Sequence, residues 1–245
     1  MYRWLRIFGK EWFYLIFKPK IPRFLHNNVP YYSQWESKEL VSDFLSGNLK
    51  AEDDPKWNKS GAKNKLEYTN WSWNACGMAC FQMIYAHMVG KKIPLVELCR
   101  LSLNFGCYKV VKRYFNKGNY AESLPGMFYK PFIEFLRKEF NIKAVVSTAL
   151  VIGEITKAIG QGNFVIASVN ASIRSSDKNT KKIFRGGHLV LVFGYDSFKK
   201  ELIIHNPSGL PHKSQEYVRI KIEDFKKYFS YRGIIINSKS NETQG

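Results

Sequence analysis

Residues 188–209 read HLVLVFGYDSFKKELIIHNPSG: an apolar run, a short polar link, a second apolar run, then Asn206 and Pro207. Two runs of strand length joined by DSFKK predict an antiparallel hairpin. Folding it near residue 197 sets positions 188 and 206 opposite each other. His188 and Asn206 are therefore expected to be neighbours, to within a residue or two of register. Alternation along the second strand sends His205, the competing histidine, to the other face from Asn206.

Working outward from this hairpin, the rest of the second half has the same texture. IKAVVS, NFVIASVN, EYVRIKI and RGIIIN are short and β-branched, with VIGEITKAIGQG and IEDFKKYF reading as helices between them. The first half is different. CGMACFQMIYAHMV, PLVELCRLSL and PFIEFLRKEF carry apolar residues at helical spacing, and Gly90 is a stop signal for the first of them. A helical N-terminal half packed on a C-terminal, mainly antiparallel sheet predicts an α+β domain with one cleft where the halves meet. Residues 36–75 are polar, and AEDDPKWNKSGAKNK reads as a surface excursion. The expected organisation is an aromatic and basic segment over 1–28, one domain over 29–237 and a polar tail over 238–245.

Cys76 stands at the first turn of the first of those helices, in NACGMAC. Unpaired backbone N–H groups and the positive helix end favour a thiolate there. Gly77 would keep bulk away from an approaching carbonyl. A buried, merely packing cysteine is the competing reading, and it is the one expected for Cys80. An imidazole whose one nitrogen is held by Asn206 would leave the other free to take a thiol proton.

Composition narrows the partners. The 245 residues carry 38 Lys and Arg against 20 Asp and Glu, a formal charge of +18 that points to an anionic partner. The basic residues are scattered, and no zinc-finger, phosphate-loop or RNA-binding signature accompanies them, so no specific nucleic-acid role is expected. Four cysteines at 76, 80, 99 and 107 are too few and too clustered for a disulfide scaffold and read as free thiols. Cys80 and His87 lie two turns apart, too far to share one ion with Cys76, so no metal and no organic cofactor is expected.

The first residues, MYRWLRIFGKEWFYLIFKPK, imitate a secretory signal. Lys10 and Glu11 interrupt the apolar run, however, and no small-residue cleavage site follows. The run is also too short to span a bilayer. A helix packed on the domain is favoured over an amphipathic one that lays its aromatics, with Arg3, Arg6 and Lys10, on anionic lipid.

With Cys76, His188 and Asn206 in place, the chain resembles the papain-like bacterial cysteine peptidases related to the leader-peptide peptidase domains of bacteriocin exporters. VPYYSQW, NACGMACFQMIYAH, GGHLVLVFGYD and IIHNPSG match in the family's order and cover most of residues 29–207. The resemblance implies a papain-like fold, Cys76 as nucleophile, His188 as base and then acid, and Asn206 as the orienting third member. It also implies that Gln34 lends its amide N–H to the oxyanion hole beside the Cys76 backbone N–H. Two departures stand out. The third member is usually Asp, and the 42 residues from Gln34 to Cys76 exceed the common gap. Asn70, six residues before Cys76, is the substitute donor.

The expected activity is hydrolysis of a peptide or amide bond in a peptide or protein substrate, through an acyl-enzyme on Cys76. Transamidation or peptide ligation on the same fold is the alternative, and a non-catalytic basic module on an anionic surface the second. Trp35, Trp71 and Trp73 are candidates for the groove. Free thiols and the absence of a signal peptide suggest the cytoplasm, with a peripheral place on an anionic membrane surface compatible with the charge.

Overall fold

A computed structural model describes residues 2–17, 19, 21–109, 111–115, 119–123, 126–175 and 186–238, with 111–123 described by backbone alone. In chain order the elements are α1 (Tyr2–Phe17), β1 (Phe24–Leu25), α2 (Val41–Ser46), α3 (Lys65–Ser72), α4 (Cys76–Val89) and α5 (Leu95–Leu103). There follow β2 (Val111–Phe115), β3 (Asn119–Ser123), α6 (Tyr129–Phe140), β4 (Ala144–Ser147), α7 (Ile152–Gly160) and β5 (Phe164–Val169). The chain closes with β6 (His188–Asp196), β7 (Glu201–His205), β8 (Val218–Lys221), α8 (Ile222–Tyr228) and β9 (Phe229–Ile236).

The fold is α+β. The main sheet is seven-stranded, in the order β4-β9-β5-β6-β7-β8 with β1 added along β6. Every pairing is antiparallel. β6 is its centre, and its sequence shows why. Leu189, Leu191 and Phe193 join one core with Met78, Phe81 and Ile84 of α4, whereas Val190 and Val192 join another with Ile155 and Ile159 of α7. A strand apolar at every position has both faces covered, and this one does. The sheet is thus sandwiched: α4, α5 and α6 contribute to one core, and α1, α7 and α8 to the other. α4 is buried on nearly all sides because it runs through the first core against β6 and α5, which explains its uniformly apolar sequence.

The β6–β7 hairpin forms as the sequence predicts, with its turn held by Asp196, whose Oδ1 accepts from the N–H groups of Phe198 and Lys199 at 3.1 Å each. Its register differs in detail. Its turn is centred between Phe198 and Lys199 rather than at 197, and a bulge between Val192 and Gly194 takes back one residue, so Leu191 lies opposite His205 and the line of His188 runs on to Ser208, two residues beyond Asn206.

The polar stretch 36–75 carries more than the surface excursion at 51–65. Trp35, Val41, Phe44 and Ala51 form a small core of their own. The buried Asp54 carboxylate accepts from Ser37 Oγ at 2.6 Å and from the Tyr68 hydroxyl, tying the start of the excursion to α3. Trp35 and Trp71 are 1% and 5% exposed and belong to the cores, not to a groove; Trp73 alone of the three is exposed.

Candidate active site

Four segments converge at the start of α4 and the start of β6. Asn206, just past β7, turns its Oδ1 to His188 Nε2 at 2.7 Å. The same oxygen accepts from the Ser208 N–H at 3.2 Å, so it is the amide's acceptor end that faces the ring. Nε2 must then carry the proton, and Nδ1 is left with a free lone pair. Ser208 Oγ lies 3.1 Å from the same Nε2 and accepts from Arg174 Nε at 2.7 Å. Arg174 ends the helical turn Ala171–Arg174 that follows β5.

Cys76 is the first residue of α4 and the one partly exposed cysteine among the four; Cys80, Cys99 and Cys107 are buried. Its sulfur is approached by the backbone N–H groups of Leu189, the residue after His188, and of Gly77. Arg174 adds its positive charge. All three pull the thiol pKa down, but burial outweighs them and the net shift is upward, so the resting group is a thiol and not the thiolate its helix position suggests. His188 is driven down to about 3 by burial, then by Arg174, against the pull of Asn206 the other way. At neutral pH both groups are uncharged.

Gly77 has a different reason from the one its sequence suggests. A Cβ there would stand 2.7 Å from both Leu189 Cδ1 and Met127 Cε, so the missing side chain lets α4 close on β6. Cys80 packs beneath, its sulfur 3.7 Å from the Leu189 carbonyl oxygen. His205 turns away from Asn206. Its Nε2 donates to the Val29 carbonyl at 3.0 Å and its Nδ1 accepts from the Tyr217 N–H at 3.1 Å.

The segment VPYYSQ lies along HNPSG. Tyr31 Oη donates to the Asn206 carbonyl, and Ser33 Oγ and the Gln34 N–H both donate to the Pro207 carbonyl, each at 2.9 Å. The buried Gln34 side chain then reaches the approach to α4, where Nε2 donates to Ser72 O at 2.7 Å. Its second N–H is left over. Gln34 Oε1 and Asn206 Nδ2 are buried with no partner among the described residues. Asn70 is exposed on α3. Arg174 and Ser208 are the site residues that sequence reasoning missed: Ser208 sits inside a quoted motif without an evident task, and ASIR offers no signal.

The sequence profile of the Peptidase C39-like family matches residues 26–235. The chain belongs to the Peptidase C39-like family. A crystal structure of a Bacillus anthracis protein described as a C39-like peptidase covers 90% of this chain and 100% of its own, with a TM-score of 0.51 at 17% identity. At that identity the likeness speaks for the fold. No curated protein sequence matches. At family level, then, this C39-like chain is a cysteine peptidase, and its fold is that of the papain-like bacterial enzymes.

Proposed function

We propose that this C39-like chain hydrolyses a peptide or amide bond with Cys76 as nucleophile, His188 as general base and then acid, and Asn206 as the residue that orients the imidazole. The observation that supports it most is the double acceptance by Asn206 Oδ1, from His188 Nε2 at 2.7 Å and the Ser208 N–H at 3.2 Å. It leaves Nδ1 as the base, on the residue next to the amide that approaches the Cys76 sulfur.

The reaction starts from neutral partners. As the sulfur attacks the carbonyl carbon, its proton passes to Nδ1 and the carbonyl oxygen becomes an oxyanion. The Cys76 N–H and the second Gln34 Nε2–H stabilise that oxygen. The imidazolium gives its proton to the leaving nitrogen, the C–N bond breaks, and a thioester remains. Water then attacks with His188 taking its proton, the C–S bond breaks, and the thiol regains a proton. Arg174 favours the anionic sulfur in the first step and disfavours a long-lived imidazolium, so proton transfer is tied to bond formation. Residues 29–237 are the unit that carries this chemistry.

The test is cleavage of a peptide library followed by mass spectrometry, with Cys76→Ala and Cys76→Ser as controls. Loss of all products in both variants, with thermal unfolding unchanged, is the expected result. Products that persist in Cys76→Ala would overturn the assignment. Adducts formed with added amines in place of hydrolysis would move the chain to the transamidases. Alkylation of Cys76 by iodoacetamide no faster than that of Cys99 and Cys107 would favour a non-catalytic role.

A further inference from the structure

The outward half of α1 is almost wholly apolar. Eight of the seventeen large hydrophobic residues exposed among the described residues lie on this one helix, including Leu5, Trp12 and Leu15 at 61–69% exposure, with Phe8, Phe13 and Ile16 between them. Monomeric surfaces rarely leave so continuous an apolar patch in water.

The helix is attached by its polar side. Arg3 donates to the Thr148 carbonyl at 2.7 Å, Lys10 pairs with Glu154 at 2.6 Å, Ile7 is buried, and the Tyr14 ring occupies the space beside Gly153. These positions, four, three and four apart, form the inner stripe. Arg3 and Lys10 are thus committed to the domain and do not reach lipid as their sequence positions suggested. Arg6 is the one charge on the outer arc. A helix with two of its three cations on the protein and most of its aromatics outward is oriented for a medium other than water.

We propose that the outer face of α1 docks into the headgroup–acyl boundary of an anionic phospholipid bilayer and holds the peptidase domain on the membrane surface. The formal charge of +18 decides between occupants. It attracts a negatively charged leaflet and repels a second copy of the same chain. Sixteen residues make a helix of about 24 Å, and its inner stripe is bound to the domain, so α1 lies in the plane of the interface. No helix of the described residues is long and apolar enough to cross a membrane. An apolar face together with surrounding positive charge is the two-part combination that makes peripheral attachment stable.

The experiment is sedimentation of the full chain with vesicles of phosphatidylcholine alone or mixed equally with phosphatidylglycerol. Binding to the mixed vesicles, about tenfold or more tighter than to phosphatidylcholine alone and weakened by salt, is the expected result. Replacing the exposed side chains together, Leu5→Ser, Trp12→Ser and Ile16→Ser, should weaken it about tenfold or more with circular dichroism unchanged. Arg6→Glu, a single exposed change, is the second variant and should weaken binding to the mixed vesicles alone. Absence of binding by the native chain, or equal binding by both variants, overturns the proposal. So does a dimer in analytical ultracentrifugation that the triple variant converts to monomer, since a second copy would then cover the face. None of these readouts depends on peptide cleavage.

Discussion

Arg174 Nε and His188 Nε2 meet on a single atom, the Ser208 hydroxyl oxygen, at 2.7 and 3.1 Å. Burial first, and then this guanidinium one hydroxyl away, keep the imidazole neutral, and the same charge favours a thiolate at Cys76. Arg174→Met should therefore raise both pKa values, moving the pH dependence of Cys76 alkylation upward and the His188 ring titration upward in NMR. Ser208→Ala keeps the charge and should move them far less. Equal shifts in the two variants would mean that the hydroxyl, not the cation, sets the field.

Asn206→Ala removes the acceptor that holds Nε2–H. A hydrogen bond of this kind is worth about 1.5–3 kcal/mol, or roughly 10–100-fold in kcat/KM. Asn206→Asp should recover most of the rate and, by placing a carboxylate on the ring, raise the His188 pKa and shift the acid limb of the rate profile to higher pH. A substitution to Asp as harmful as that to Ala would remove Asn206 from the proposed role.

Gln34→Ala is expected to lower kcat by about 10²–10³-fold, the scale for loss of one oxyanion donor. Asn70→Ala, on an exposed position of α3, should leave the rate unchanged. Because Gln34 also bonds Ser72, the thermal midpoint is recorded alongside, and a fall in kcat at constant KM separates donation from lost packing.

Gly77→Ala sets a methyl 2.7 Å from Leu189 and Met127. Overpacking at such a contact costs about 1–3 kcal/mol. Urea unfolding should show that loss. An unaltered midpoint would mean that the ends of the Leu189 and Met127 side chains swing aside to admit the methyl.

Three histidines set the acid stability: the buried His188 and His205, and the half-buried His26, which burial holds down to about 4. Burial, above all, holds His188 down to about 3 and His205 to about 4. In the unfolded chain all three titrate near 6.5. A lowered pKa of this kind contributes stability that is complete above the unfolded value and disappears as pH falls through the folded one. Between pH 6.5 and 4 unfolding takes up roughly three protons, so near pH 5 stability should drop by about 4 kcal/mol per pH unit. Urea titrations at pH 7, 6 and 5 measure the slope, and a level profile would contradict the buried neutral rings.

Much of the fold was legible because periodicity and turn chemistry agreed. HLVLVFGYD and ELIIH read as a hairpin, and Asp196 does cap its turn. The bulge at Phe193 was invisible, since nothing in VFG marks an extra residue, and the turn centre beyond residue 197 was equally unmarked; together they set His188 in line with Ser208. The hairpin of β2 and β3 was missed as well: KVVKRYF and NYAES lack the alternation of a half-buried strand. Residues 51–65 read as a surface excursion because charged residues dominate them, although Ala51 joins a small core with Trp35 and Phe44 and Asp54 is buried against Tyr68. In the site, Cys76, His188, Asn206 and Gln34 carry recognisable chemistry, whereas Arg174 acts through a fold-dependent approach that leaves no sequence pattern.

Gly77 touching Leu189 also orders events in time. The helix start leaves the ribosome 112 residues before His188. At about 5–20 residues per second the cysteine spends roughly 6–22 s before its proposed base is made. A newly made chain therefore carries a thiol that is still exposed and free of the burial that raises its pKa in the folded domain, until β6 is made and packed on α4, a delay written into the order of the segments.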